Sequence, residues 1–130
     1  MKLAIALGVA TLALFSAAAF AEDYVGGAIK SMEIGGKEVL VGANDMTLYT
    51  FDKDTAGVSN CYDKCAENWP PLFADAGAAA DGDFTIVDRT DGTKMWAYEG
   101  KPLYTFIKDK MPGDVMGDGA NKVWHVAKPD

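Results

Sequence analysis

Past residue 21 the apolar positions of this chain never settle into a long helical period. They fall into short runs rich in aromatic and branched residues, divided by Gly, Asp and Asn. Lys37–Val41, Met46–Phe51, Phe84–Arg89, Lys94–Tyr98, Pro102–Ile107 and Lys122–Ala127 each have the length and composition of a strand. Between them stand turn residues: Gly35-Gly36, Ala43-Asn44-Asp45, Asp91-Gly92 and Glu99-Gly100. Such pairs suit tight hairpins because Gly accepts positive φ, so antiparallel neighbours in a meander are expected. One helical piece is predicted over Cys61–Asn68, with Asn60 as its cap, Asp63 near its positive end and Pro70 forbidding continuation. Ala74–Asp83 is small, polar and patternless, and reads as a surface loop between two halves.

The strand pattern is doubled. Slid by 55 positions, Leu48, Tyr49, Thr50, Phe51, Lys53 and Asp54 fall on Leu103, Tyr104, Thr105, Phe106, Lys108 and Asp109. With no gap Asp63 then falls on Asp118, and Trp69 on Trp124. The expected fold is therefore mainly β: a compact antiparallel domain built from two duplicated halves, about 37–73 and 92–128, with one short helical turn around the cysteines. The halves differ after the shared word. The first carries Cys61-Tyr-Asp-Lys-Cys65, whereas the second carries a Gly/Asp loop whose glycines at 113, 117 and 119 oppose a helix.

The N-terminus reads as an address. Lys2, an apolar run from Leu3 to Phe15 and Ala19-Phe20-Ala21 match an export leader cleaved after Ala21, leaving 22–130 as a single domain that is periplasmic or secreted, with no stable membrane insertion. Of 130 residues, 19 are Asp or Glu and 12 are Lys or Arg, a formal charge of −7. With no basic cluster to offset it, such a surface repels phosphate backbones and excludes nucleic acid as a partner.

Tyr-x-Phe-x-x-Asp twice, Cys-x-x-x-Cys-Ala-x-x-Trp-Pro-Pro, Gly-Lys-Pro-Leu-Tyr and Pro-Gly-Asp-x-x-Gly followed by a Trp together resemble a secreted and lipoprotein repeat family named for its Y-x-(F/W/Y)-x-x-D motif. The resemblance spans roughly 37–129 and implies export and duplication. It implies no chemistry, since the family is one of unknown function. Unlike the lipoprotein members, this chain has no cysteine near the expected cleavage point, so a lipid anchor is not carried over.

Candidate chemistry is sparse. A period of two puts Tyr49 with Phe51, and Tyr104 with Phe106, on one strand face, and Asp54 and Asp109 just past the strand. The favoured reading is structural, with these aromatics, Trp69 and Trp124 in the core and each Asp anchoring a turn; the other is an exposed aromatic and carboxylate binding site. Cys61 and Cys65 are the only cysteines and are expected to pair in an oxidising compartment. Two alternatives stay open: a redox-active pair, or a soft-metal (copper) carrier using Cys61, Cys65 and His125, with Met111 or Met116 as further soft ligands. A weaker alternative places Ca²⁺ in the 109–121 loop, among Asp109, Asp114, Asp118 and Asn121. No nucleophile elbow, singled-out carboxylate pair or phosphate-cradling loop is present, so no catalytic residue is assigned. The resulting expectation is an exported non-catalytic module, without a cofactor, that binds an unknown envelope protein, extracellular component or small ligand.

Overall fold

The computed structural model describes residues 22–130; the expected leader and its cleavage point lie outside the described residues. The strands and α-helix in order are β1 (Asp23–Tyr24), β2 (Ile29–Ile34), β3 (Lys37–Gly42), β4 (Tyr49–Phe51), α1 (Lys64–Asn68), β5 (Phe84–Asp88), β6 (Lys94–Tyr98), β7 (Lys101–Pro102) and β8 (Trp124–Val126), with 3-10 turns at Val25–Gly27 and Ala120–Lys122. They form three antiparallel sheets, β1-β2-β3, β4-β8 and β5-β6-β7. The mainly β, duplicated architecture is thus as expected. Gly35-Gly36 joins β2 to β3 and Asp91-Gly92 lies in the β5–β6 hairpin. Glu99 and Gly100, at φ of 52° and 83°, make the paired left-handed turn that a two-residue hairpin needs.

The meander expectation holds for the two three-stranded sheets and fails at the centre, where the halves exchange segments. Leu40 N–H donates to Ala127 O (2.9 Å), Leu48 N–H to Leu40 O (3.0 Å) and Ala127 N–H to Leu48 O (2.8 Å). The related triad in the second half is Trp96 N–H to Leu72 O, Leu103 N–H to Trp96 O and Leu72 N–H to Leu103 O, each 2.9 Å. The residues after Trp69 therefore lie in the second half's sheet, and those after Trp124 lie in the first half's. Two buried clusters result, each drawn from both halves. One contains Val39, Val41, Val87 and Met95 with the motif tyrosines, and the other contains Ile29, Leu40, Phe84, Trp96 and Leu103. Strands β3 and β6 contribute residues to both clusters, which is why KEVLV and KMWAY read as apolar runs rather than alternations.

Five points of the sequence reading require correction. The strand expected over Met46–Phe51 shortens to β4, because partners change along it: Leu48 bonds Leu40 and Ala127, Tyr49 bonds Tyr104, and Thr50 faces His125. For the same reason Pro102–Ile107 keeps only β7 and an isolated bridge at Tyr104. The helix begins at Lys64 instead of Cys61, since Asp63 at φ 55° breaks the turn before it. Asn60 is no helix cap: its N–H donates to Asp54 Oδ1 (2.7 Å) and its side-chain amide to Lys53 O (2.8 Å). Finally, β2 was not foreseen. Its inward positions include Ser31, buried with its hydroxyl donating to Glu38 (3.3 Å), so hydropathy does not mark the buried face.

Candidate functional site

The two Tyr-x-Phe-x-x-Asp words meet at the centre of the molecule. Tyr49 and Tyr104 pair backbone to backbone, N–H to O at 2.8 and 2.9 Å, so a pseudo-twofold axis passes between them. Each tyrosine bonds the aspartate of the other word. Tyr49 donates its hydroxyl proton to Asp109 Oδ2 (2.7 Å), and Tyr104 donates to Asp54 Oδ2 (2.7 Å). The second carboxylate oxygens hold the turns that follow, Asp54 Oδ1 accepting from Asn60 N–H (2.7 Å) and Asp109 Oδ1 from Met116 N–H (2.9 Å). Around them four rings stack in one column, Phe106 on Trp69 (4.0 Å), Trp69 on Trp124 (3.8 Å, 4° between planes) and Trp124 on Phe51 (4.2 Å). Each Phe stacks on the Trp of the other half, and each Tyr meets the Trp of its own half edge-on. These crossed contacts place all eight motif residues in one structural junction.

The two ends of the junction are built differently. At Tyr104 the hydroxyl also meets Ser59 Oγ (2.7 Å), which accepts from Arg89 Nη1 (2.8 Å). Arg89 is buried, donates from Nη2 to Cys61 O (2.9 Å) and lies over the Tyr62 ring at 4.1 Å. At Tyr49 the hydroxyl instead accepts from Gly117 N–H (3.1 Å). Ile34, a residue without a charge, occupies the position of Arg89 in the first half. Arg89 was missed by sequence reasoning, although one signal pointed to it: in strand alternation it shares a face with the apolar Val87. Burial pushes both tyrosine hydroxyls well above the usual phenol range, reinforced by their carboxylate partners. Burial also raises the Asp54 carboxyl, opposed by the bonds from Asn60 and Tyr104 and by the charge of Arg89.

Cys61 and Cys65 form a disulfide with Cα atoms 5.2 Å apart, Cys61 lying in the loop before α1 and Cys65 inside it. His125 is on the surface of β8, where its Nε2 meets Asp52 Oδ2 at 2.8 Å. Among the described residues no three His, Cys, Asp or Glu side chains group as metal ligands, so the structure does not bring His125 to the cysteines. In the 109–121 loop the carboxylates point to backbone donors. Asp114 Oδ2 accepts from Lys110 and Met111 N–H (2.8 and 3.1 Å), and Asp118 Oδ1 accepts from Val126 N–H (3.1 Å). Between exposed Lys110, Asp118 and Asn121 this loop also exposes Met111, Val115 and Met116, the last 67% accessible, and Ile107 is exposed just before it.

Fold and junction together define a class: a duplicated β domain whose halves interlock. The chain belongs to the family described as a secreted repeat of unknown function, whose model matches twice, at residues 30–73 and 85–128. Both matches begin upstream of the halves expected from sequence, and so take in β2 and β5. No curated protein and no solved structure is similar enough to this chain to match it. Among the described residues no helix is long and apolar enough to cross a membrane.

Proposed function

We propose that this chain is an exported, non-catalytic module that binds an envelope or extracellular component through the surface formed by Ile107, Met111, Val115 and Met116. One observation carries the reading. Of the six large hydrophobic side chains exposed among the described residues, these four lie within ten residues of one another, in the loop where the two halves differ most. The surface is also held in advance of binding, by Asp109 on Met116 N–H, Asp114 on Met111 N–H, and Thr47 Oγ1 donating to Asp114 O (2.6 Å). A preformed apolar surface loses little entropy when a partner seats on it. Methionines suit such a role because their side chains adapt to the surface they meet. The carrier alternative would need the thiols of Cys61 and Cys65 released from their disulfide.

The test is site-specific photocrosslinking from positions 111 and 116 in envelope extracts, with exposed Lys37 as the control position. One discrete adduct from both loop positions, absent from Lys37 and lost when Ile107→Ser/Val115→Ser is added at unchanged melting temperature, is the expected result. No adduct, or the same adducts from Lys37, overturns it. A thiol count with metal analysis on the exported protein separates the carrier: free thiols with about one equivalent of copper would replace the binding-module reading.

A further inference from the structure

The pseudo-symmetry that relates β2 to β5 is broken at their outer edges. In the first half, Tyr24 and Asp23 pair with Ile29 and Lys30, and Ser31 N–H donates to Glu22 O (2.8 Å), so an extended segment covers that edge of β2. In the second half the matching positions are Phe84, Thr85 and Ile86. Phe84 exchanges both backbone bonds with Asp81 in a tight turn (2.8 and 3.0 Å), and Thr90 N–H donates to the Tyr62 hydroxyl (2.9 Å). Between these two closures no backbone group of the outer edge has a partner among the described residues. Antiparallel ladders alternate, and Arg89 N–H bonds Thr93 O across the hairpin, so Val87 and Thr85 face β6 in turn. The N–H and C=O groups of Ile86 and Asp88 therefore point outward from the sheet, a short open edge on a half-buried strand.

We propose that this β5 edge takes an extended, basic peptide segment from another protein, added antiparallel as Glu22–Tyr24 is added to β2. Main-chain bonds to Ile86 and Asp88 would hold it. The charge of the occupant follows from Asp81 and Asp83 at the start of the strand, in a chain of net charge −7, since Asp88 is paired with Lys94 and Asp91 lies beside Arg89. This acidic surplus favours lysine or arginine side chains and repels a second copy of this chain, which would bring the same surplus. Four main-chain groups make a small contact, so the association is weak and fast. The edge is separate in sequence from the Ile107–Met116 surface. Failure of peptide binding here leaves crosslinking at Met116 unaffected, and the reverse.

The test uses the exported protein and two blocked heptapeptides, one alternating lysine with valine and the other glutamate with valine. Amide chemical shifts should move at Ile86 and Asp88 with the lysine peptide only. Ile86→Pro removes the outward donor without removing a bond to β6, and should weaken binding about tenfold. Asp81→Asn/Asp83→Asn, which leaves the strand untouched, should weaken it several-fold and flatten its salt dependence. Shifts from the acidic peptide, no shift at Ile86 and Asp88 with the basic one, or equal binding by the Asp81→Asn/Asp83→Asn variant overturns the proposal. So does sedimentation showing that this edge is closed by a second copy.

Discussion

Gly117 is where the junction has no room to spare. A Cβ at this position would lie 2.5 and 2.8 Å from Cη2 and Cζ3 of Trp69 and 2.9 Å from Cδ2 of Phe106, whereas carbon atoms normally rest about 3.5–4.0 Å apart. To admit a methyl group the Trp69 ring must therefore move by about 1 Å. It cannot do so alone, because Phe106 and Trp124 cover its two faces at 4.0 and 3.8 Å and Tyr49 meets its edge at 5.3 Å. The alternative is for the backbone to retreat, which takes Gly117 N–H away from the buried Tyr49 hydroxyl at 3.1 Å. Overpacking of this kind costs about 1–3 kcal/mol, and a lost bond to a buried hydroxyl adds about 1 kcal/mol. Gly117→Ala should therefore destabilise the domain by about 2–4 kcal/mol, a large share of a small domain's stability. Urea denaturation followed by tryptophan fluorescence reads this directly. Gly77→Ala is the control, with nothing within 4 Å of its added Cβ, and should stay within about 0.5 kcal/mol of the parent. A Gly117→Ala variant as stable as that control would refute the packing described for the stack.

Alkaline pH should expose the motif tyrosines. Their folded-state pKa values are raised, so their stabilisation is complete below the ordinary phenol pKa of about 10 and is lost as pH rises beyond it, by about 1.4 kcal/mol per pH unit for each ring. In a titration at 295 nm, two of the five tyrosines should ionise only as the protein unfolds; simple titration of all five in the folded state would contradict this. Replacing both cysteines, as Cys61→Ala/Cys65→Ala, should cost about 2 kcal/mol, the chain-entropy value for so short a loop. An unchanged urea midpoint would show that the disulfide contributes nothing to stability.

Much of this architecture was legible before the structure. KMWAY is β6 to the residue, KEVLV is β3 less its final Gly42, and Glu99-Gly100 makes the turn its residues call for. The duplication was visible because both words serve the same structural role. What the words could not disclose is whom they bond. Each Asp stands five residues after its own Tyr, which invites a local pairing, yet the antiparallel crossing at Tyr49 and Tyr104 carries each hydroxyl to the far Asp. Contacts across a pseudo-twofold axis join residues far apart in the chain and leave no periodic trace. Arg89 and Ser31 were hidden for a related reason. A buried polar side chain is stabilised by partners such as Ser59, Cys61 O and Glu38, which only the folded chain brings near.

That crossing is the core of the account, and double-mutant cycles test it most directly. Tyr→Phe and Asp→Asn substitutions combine in four cycles, two across the halves and two within them. Tyr49 with Asp109, and Tyr104 with Asp54, should each show a coupling of about 1–2 kcal/mol in urea denaturation. Tyr49 with Asp54, and Tyr104 with Asp109, should be additive within about 0.5 kcal/mol. Coupling inside each half, with additivity between halves, would contradict the interlocked domain.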